Sequence, residues 1–226
     1  MNVCLLIPLI LMISCAVKDT HEPGNGDGIL SLPAPDTRGE ISVEQTLEQR
    51  RSVRDFPDTP LSKAEIGQLA WAAQGITDEA RGYRTAPSAG ATFPAEIYLA
   101  VAGSPDIPTG LYRYHSSNHT LELIDGEDVR PDLHAAALHQ DAILNAPVVM
   151  IITGVMERIE PRYGDRAHRF MLQESGHIAQ NVYLQGVARN IGTVVIGAFD
   201  DEGIRRVLGF GQGEYPLYIM PLGKME

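Results

Sequence analysis

The sequence predicts an α+β fold in one domain, on three observations. Apolar residues recur at helical spacing in some stretches and form short continuous runs typical of strands in others. These helices and strands follow neither a strict strand–helix–strand alternation nor an all-β pattern. The chain has 226 residues, and no internal repeat or second linker is visible beyond residue 42. One domain with one hydrophobic core is therefore the economical interpretation.

The beginning of the chain has the composition of a signal peptide. An uncharged run from Asn2 to Val17 has an apolar centre, Leu5 to Ile13, that is too short for a transmembrane helix. The Met12-Ile13-Ser14 that precedes Cys15 matches a bacterial lipobox in part, although no Lys or Arg comes before the apolar run. We predict a lipoprotein-type signal peptide at residues 1–14, a lipid on Cys15 and a location in the bacterial cell envelope, lipid-anchored or periplasmic. An ordinary signal peptide or an uncleaved anchor is the alternative.

Composition also limits the partners of the chain. Residues 15–41 are rich in Pro, Gly and Asp, which predicts a flexible tether ahead of a domain at residues 42–226. The chain has 18 basic and 29 acidic residues, a formal net charge of -11. This balance argues against nucleic acid or an anionic membrane surface as a partner. We expect membrane contact only through a lipid anchor at Cys15.

Helices and strands follow one another from residue 43 onward. Ser62 and Glu65 form a capping box at the start of a helix that Gly75 ends. The continuous apolar run Pro147–Gly154 predicts a buried strand. The helix predicted at 166–190 is apolar on more than one face, which places it at the centre of the molecule or at a dimer interface. The other predicted elements are helices at 43–50, 132–145 and 200–208, a hairpin of strands at 111–114 and 120–124, and strands at 95–102, 193–199 and 215–222.

Three arginines lie within five positions in Arg50-Arg51-Ser52-Val53-Arg54. Guanidinium groups match the geometry of phosphate oxygens, and Ser52 adds a hydroxyl donor. The cluster therefore predicts a pocket for one phosphomonoester. A solvated basic helix end that complements the helix dipole is the competing interpretation.

Two further stretches are suited to close approach by a ligand. Pro87-Ser88-Ala89-Gly90 carries small side chains, which let backbone N–H groups come near a ligand. Ile196-Gly197 ends a predicted strand with a small residue. Taken alone, either stretch is also compatible with an ordinary loop or strand end.

Together and in this order, these segments resemble the FMN-dependent nitroreductase-like family, most closely its SagB/ThcOx-type dehydrogenase branch. The resemblance extends from about Glu48 to Gly223 and is carried by RRSVRDF, RTAPSAGATFPAEIYLAV, APVVMIITG, ESGHIAQNVYLQGVARNIGTVVIGAFDD and PLYIMPLG. It implies a nitroreductase-like fold, with a central, mostly antiparallel sheet flanked by helices, in an intertwined homodimer. It also implies FMN as the cofactor, NAD(P)H as one electron donor to test, and a small organic substrate.

The resemblance further implies which positions contact FMN. The arginine–serine segment would bind the phosphate, the ribityl chain and one edge of the flavin, while the Pro-Ser loop would reach the flavin of the partner subunit. The backbone near residue 197 would lie beside flavin N5. The implied contacts are Arg50, Arg51, Ser52, Arg54, Pro87, Ser88, Ala89, Gly90, Gln140 at the ribityl chain, Ile196, Gly197, and Lys224 at the phosphate.

The sequence departs from the family pattern at the general base. Azoline-oxidising members of the branch use a Lys-Tyr pair, and the nearest positions here are Arg162 and Tyr163. Arginine stays protonated and is a poor base, so the resemblance does not carry azoline dehydrogenation over to this chain. Tyr163 is the one candidate catalytic residue, either as a phenol over the flavin or as a packing aromatic.

Two alternatives complete the predictions. His115 and His119 flank the hairpin turn and are interpreted as turn histidines, so no metal site is predicted.

The alternative to an enzyme is a lipid-anchored protein that keeps the fold and binds a ligand without turnover. Such a protein would purify without flavin, or with flavin that no donor reduces.

Overall fold

A seven-stranded sheet forms the centre of the computed structural model, which describes residues 28–226. The predicted signal peptide at 1–14 and the lipid attachment at Cys15 lie outside the described residues. The strands run in the order β1-β6-β5-β4-β7-β9-β8, and every neighbouring pair is antiparallel. The strands are β1 (Ile29–Ser31), β2 (Ile76–Asp78), β3 (Tyr83–Arg84), β4 (Ala95–Val101), β5 (Gly110–His115), β6 (Thr120–Asp125), β7 (Val148–Val155), β8 (Ile191–Thr193) and β9 (Glu214–Lys224), of which β2 and β3 form a separate pair. The predicted antiparallel sheet is confirmed.

Helices cover both faces of this sheet. They are α1 (Val43–Gln49), α2 (Lys63–Gln74), α3 (Arg130–Ala136), α4 (Ala142–Asn145), α5 (Met156–Tyr163), α6 (Ala167–Ala188) and α7 (Asp201–Leu208). Helices α2 and α6 pack in one core cluster with Ile97 and Leu99 of β4, whereas α3, α4 and α7 pack in the other with Tyr98 and Ala100. This alternation follows from the two-residue period of a strand. Helix α6 contacts α1, α2, α5 and β8, in agreement with the central position predicted for it.

The local signals in the sequence begin and end the elements as expected. Glu65 Oε2 accepts a hydrogen bond from the Ser62 backbone N–H at 2.9 Å, and Ser62 Oγ accepts one from the Glu65 N–H at 3.4 Å. Gly75 follows the last residue of α2. Strands β5 and β6 pair as a hairpin around residues 115–120.

The helix predicted at 132–145 is wrong as one continuous element, because α3 and α4 are separate. Leu138 and His139 both have φ near the left-handed region, at 56° each, which interrupts the helix. A continuous helix would place Ala142 roughly 180° around the axis from Leu133. Both side chains are buried in the same core cluster, and the break is what allows this.

The strand predicted at 193–199 is also wrong in extent. Strand β8 ends at Thr193, and Ile196 makes only an isolated bridge to Ile219. The backbone N–H of Val195 donates to the hydroxyl of Tyr183 at 2.9 Å instead of to a neighbouring strand. A side chain from α6 therefore interrupts the ladder.

The flexible tether predicted at 15–41 is contradicted for the part that the structure describes as a strand. Residues 29–31 form β1, which pairs with β6 at the edge of the sheet. Leu32 is buried, and its N–H donates to the His119 carbonyl at 3.0 Å. The open edge of β6 and the apolar side chains of this stretch explain the pairing, since both are otherwise exposed to water.

Within residues 28–226, none of the helices has the length and apolar character needed to cross a membrane.

Candidate functional site

The arginine segment, residues 50–54, is held against the end of β8. Ser52 forms a parallel bridge with Thr193, and the Val53 N–H donates to the Thr193 carbonyl at 2.9 Å. A Cβ added at Gly192 would lie 2.7 Å from the Cβ of Val53, closer than side-chain atoms normally approach. Glycine at position 192 therefore permits the contact between two segments that are far apart in the sequence.

Tyr183 of α6 joins the arginine segment to the residues that follow β8. Its hydroxyl lies 3.3 Å from Ser52 Oγ and accepts from the Val195 N–H. The guanidinium carbon of Arg50 lies 5.0 Å from the centroid of the Tyr183 ring, within the range of a cation–π contact. Sequence reasoning missed Tyr183. The signal that could have found it is an aromatic residue with a hydroxyl among the apolar residues of the segment 178–187, because a buried phenol usually needs a hydrogen-bond partner.

The arginine segment carries positive charge without ion-pair partners. None of Arg50, Arg51 and Arg54 forms a salt bridge with a carboxylate within residues 28–226. Arg51 donates instead to the carbonyls of Glu48 and Arg50, at 2.7 and 2.8 Å. Arg51, Ser52 and Arg54 are exposed. In a chain with a net charge of -11, this is a locally positive surface that an anion can approach.

Within residues 28–226, the strip from Thr193 to Ala198 ends in two exposed backbone N–H groups without an acceptor, those of Gly197 and Ala198. Both backbone groups of Ile196 bond to Ile219, at 2.8 and 3.0 Å. Gly197 is exposed, and its N–H donates to no acceptor within residues 28–226. Gln140 lies beside the same strip, because its side-chain amide donates to the Ala198 carbonyl at 3.1 Å. The structure thus connects the arginine segment, Ile196, Gly197 and Gln140 along one edge.

Lys224 lies at the β8 end of this edge but has a partner. It pairs with Ile191 across β9 and β8, and its ammonium forms an ion pair with Glu65 at the start of α2. Partial burial favours the neutral acid of Glu65, but hydrogen bonds from Lys224 and Ser62 outweigh it and hold the pKa of Glu65 below its usual value. Lys224 therefore stabilises the start of α2 in this structure.

The Pro-Ser loop, residues 87–90, is assembled with α5 instead of with the arginine segment. Arg162 donates to the Gly90 carbonyl at 2.9 Å, and a Cβ added at Gly90 would lie 2.7 Å from the Tyr163 hydroxyl oxygen. Gly90 has φ of 59°, a conformation that favours glycine. Ser88 Oγ accepts from the Phe93 N–H at 2.9 Å. Within residues 28–226 no hydrogen bond or salt bridge joins this loop to the arginine segment.

The match to known proteins agrees with this arrangement. Residues 47–224 match the family model described as the nitroreductase family. The chain belongs to the nitroreductase family. Its nitroreductase fold is thereby confirmed, and members of this family are flavin-type oxidoreductases that generally use FMN with NAD(P)H.

Several known proteins are similar to this chain. A protein of Methanocaldococcus jannaschii named as a nitroreductase is 44% identical over 195 residues, which cover 86% of this chain and 96% of that protein. A crystal structure named as a nitroreductase from Ralstonia eutropha has a TM-score of 0.79 at 28% identity and covers 90% of this chain and 92% of that one. The trifolitoxin operon protein TfxC of Rhizobium leguminosarum is 25% identical over 192 residues, 78% of this chain and 54% of that protein.

A buried carboxyl lies in the central helix α6, near the Pro-Ser loop. Glu174 of α6 is 1% exposed, and its Oε1 accepts from the Gln74 side chain at 3.1 Å. Its Oε2 has no hydrogen-bond partner within residues 28–226. Burial raises the pKa of Glu174, since a carboxylate loses solvation there. Sequence reasoning did not single out this residue, because nothing in the sequence shows whether the one glutamate of α6 is buried or exposed.

Tyr163 packs as an aromatic residue in the nitroreductase fold. Its ring lies 4.7 Å from that of Phe170 in an edge-to-face arrangement. Its neighbour Arg162 lies over the same ring at 5.9 Å. The structure thus brings Tyr163 next to the Pro-Ser loop, and the phenol is held between α5, α6 and that loop.

Proposed function

We propose that this protein is an FMN-dependent oxidoreductase that transfers hydride between a donor, with NAD(P)H the first to test, and a small organic substrate. The observation that carries the proposal is the arginine segment, held by Tyr183 beside a strip whose Gly197 N–H is free. The donor set fits the cofactor, since three unpaired arginines suit its phosphate and a backbone N–H suits the edge of its ring. Family membership supports the same cofactor.

The residues of this chain have separate roles in the proposal. Arg50, Arg51 and Arg54 bind the phosphate, and Ser52 donates its hydroxyl to the same end of the cofactor. Gln140 would contact the ribityl chain, and the Gly197 N–H would donate to the edge of the ring. When bound, FMN supplies the hydride chemistry, while the protein supplies binding and orientation. No acid–base triad is required.

Two subunits complete the proposed site. Within residues 28–226 no hydrogen bond or salt bridge joins the Pro-Ser loop to the arginine segment, and in the proposal residues 87–90 reach the flavin of a partner subunit, as the family resemblance implies. Exposed apolar side chains on α1 and α6 support a homodimer, namely Val43, Leu47 and Leu172. Burying such side chains in a subunit interface is favourable.

The branch and the location are parts of the same proposal. The motifs that surround residue 91 favour the SagB/ThcOx-type dehydrogenase branch, in which alanine replaces the asparagine common in other nitroreductases. Arg162 donates to a backbone carbonyl and stays protonated, so azoline oxidation by a Lys-Tyr type base is not proposed.

A lipid at Cys15 would place the protein in the cell envelope, where an electron donor other than NAD(P)H would be needed.

The test is the visible absorbance of the purified full-length protein, recorded before and after anaerobic addition of NADH or NADPH. A flavin spectrum that bleaches with either nucleotide supports the oxidoreductase and identifies the donor. If the flavin is bleached by another reductant but by neither nucleotide, the electron donor belongs to a different chemical class from NAD(P)H. A colourless protein that takes up no added FMN overturns the proposal in favour of the lipid-anchored ligand-binding protein.

A further inference from the structure

A second pocket lies at the beginning of β4 and the end of β5, and its walls share no residue with the arginine segment. Its volume is about 370 Å³, which suits a small ligand. The floor is formed by the two strands, one wall by the hairpin turn at Ser116 and Ser117, and another by Thr92 and Phe93. Arg158 of α5 closes the remaining side.

The charge of this pocket is positive. Three arginines line it, Arg84, Arg113 and Arg158, against the single carboxylate of Glu96, a net charge of +2. Arg113 bonds to Glu96 Oε2 at 2.9 Å, and Arg158 pairs with Oε1 of the same carboxylate. Burial favours the neutral acid of Glu96, but these two guanidiniums outweigh it and hold its pKa below the usual value. Both oxygens of the only lining carboxylate are therefore occupied.

Within residues 28–226 Arg84 forms no salt bridge, although the charges of Glu96 and Glu174 act on it from a greater distance. Its guanidinium stacks over the Phe93 ring at 4.4 Å and makes one long hydrogen bond, 3.3 Å, to the side-chain oxygen of Gln74. Burial lowers the pKa of Arg84, which shows that its charge is poorly solvated. A half-buried cation of this kind is stabilised by an anion that accepts its remaining hydrogen bonds.

Further donors face the same space. Within residues 28–226, Nη1 and Nη2 of Arg113 and Nε and Nη2 of Arg84 donate to no protein acceptor. Serine hydroxyls in the hairpin turn add neutral donors. Of the neighbouring carboxyls, Glu214 bonds to Tyr98 and Thr153. Glu174 is separated from Arg84 by the Gln74 side chain, which donates to Glu174 Oε1 and accepts from Arg84.

We propose that this pocket binds a small organic anion, with Arg84 and Arg113 holding its carboxylate or phosphate group. Planar guanidiniums form paired hydrogen bonds with both groups. The ligand would lie against Thr92 and Phe93, which lie two and three residues beyond the Pro-Ser loop, and against the helix that carries Tyr163. Binding of the anion does not depend on FMN, so this proposal and the proposed redox function can fail separately.

The test is calorimetric titration of the full-length protein with sodium benzoate and with sodium phosphate, using neutral benzamide as the uncharged analogue. We expect saturable binding of at least one anion and none of benzamide. Arg84→Gln should weaken that binding at least tenfold, and Arg84→Lys should restore part of it. Arg81→Gln is the matched control, because Arg81 lies three residues away, is exposed and pairs with Asp78. It should leave anion binding within twofold of the wild type.

Three results would overturn the proposal. The first is the lack of saturable binding by the wild type, and the second is equal binding by Arg84→Gln. The third is loss of binding in Arg50→Ala but not in Arg84→Gln, which would assign the anion to the arginine segment. If Arg84→Gln does not fold, phenylglyoxal modification of the wild type decides the question: benzoate or phosphate should protect Arg84 and Arg113 but not Arg81, and equal labelling with and without the anion contradicts the proposal.

Discussion

The side chains of Ser52 and Tyr183 meet at 3.3 Å although 131 positions separate them in the chain. The Tyr183 hydroxyl also accepts from the Val195 N–H at 2.9 Å. One phenol thus sets the distance between the arginine segment and the strip that contains Gly197. Both ends of the proposed FMN site depend on this side chain.

Tyr183→Phe should weaken FMN binding while retaining the fold. The ring that Arg50 contacts is kept, but Ser52 and Val195 lose their partner. The loss is about 1 kcal/mol, or roughly fivefold in Kd, in a fluorescence titration with FMN. Tyr83→Phe is the control, since Tyr83 is 58% exposed. Equal affinities of the two variants would show that the phenol does not organise the site.

Replacement of the arginines should have a larger effect. Arg50→Ala and Arg54→Ala should each weaken FMN binding by about 1.5–3 kcal/mol, roughly ten- to hundredfold, because each removes charge-assisted hydrogen bonds to the phosphate. Equilibrium dialysis at two salt concentrations measures the loss and its screening. Arg81→Ala removes the same charge elsewhere and should bind FMN like the wild type. Unchanged flavin content in both site variants would refute the phosphate assignment.

Gly192→Ala should disturb the same site through packing alone. The added Cβ would lie 2.7 Å from that of Val53, so the arginine segment must shift. Overpacking of this kind costs about 1–3 kcal/mol of unfolding free energy, measurable by urea denaturation. Gly126→Ala has open space around the new Cβ and serves as the control. Equal stability of the two variants would contradict the close contact.

The backbone donor at position 197 can be removed by proline. Gly197→Ala keeps the N–H, and its Cβ would make an ordinary contact of 3.5 Å with Tyr218, so FMN should bind nearly as in the wild type. Gly197→Pro deletes the N–H and should weaken binding by about 1 kcal/mol or more. Flavin absorbance and affinity are compared in the two variants. The assignment of the donor is wrong if proline and alanine behave alike.

Glu174 should make stability depend on pH. Because burial raises its pKa in the folded state, the folded protein holds this proton more tightly than the unfolded chain. Stability contributed by protonated Glu174 is present below the unfolded pKa and is lost as pH rises through the folded pKa. Glu174→Gln should therefore be more stable relative to the wild type at pH 7 than at pH 4. Urea denaturation at both values checks this, with Glu48→Gln as the exposed control, and an equal difference at the two pH values would contradict it.

Local signals in the sequence predicted much of the fold. The capping box at Ser62 and Glu65, the hairpin around residues 115–120 and the buried strand β7 each depend on residues close together in the chain. The family resemblance predicted the antiparallel sheet and the nitroreductase fold, which are confirmed. The FMN contacts at positions such as Arg54 and Gly197 stay predictions, as does the homodimer.

Tertiary structure decided what depends on contacts between distant segments. It ended β8 at Thr193 because the Tyr183 hydroxyl takes the Val195 N–H, and it paired residues 29–31 with the open edge of β6. It also gathered Arg84, Arg113 and Arg158, which come from β3, β5 and α5, around one carboxylate. No regular interval in the sequence relates the members of such a charge cluster, because they approach one another only when the sheet and helices pack. The sequence by itself therefore determined the family and those elements whose start and end depend on neighbouring residues, whereas the packing determined which polar groups were left without partners and could bind a ligand.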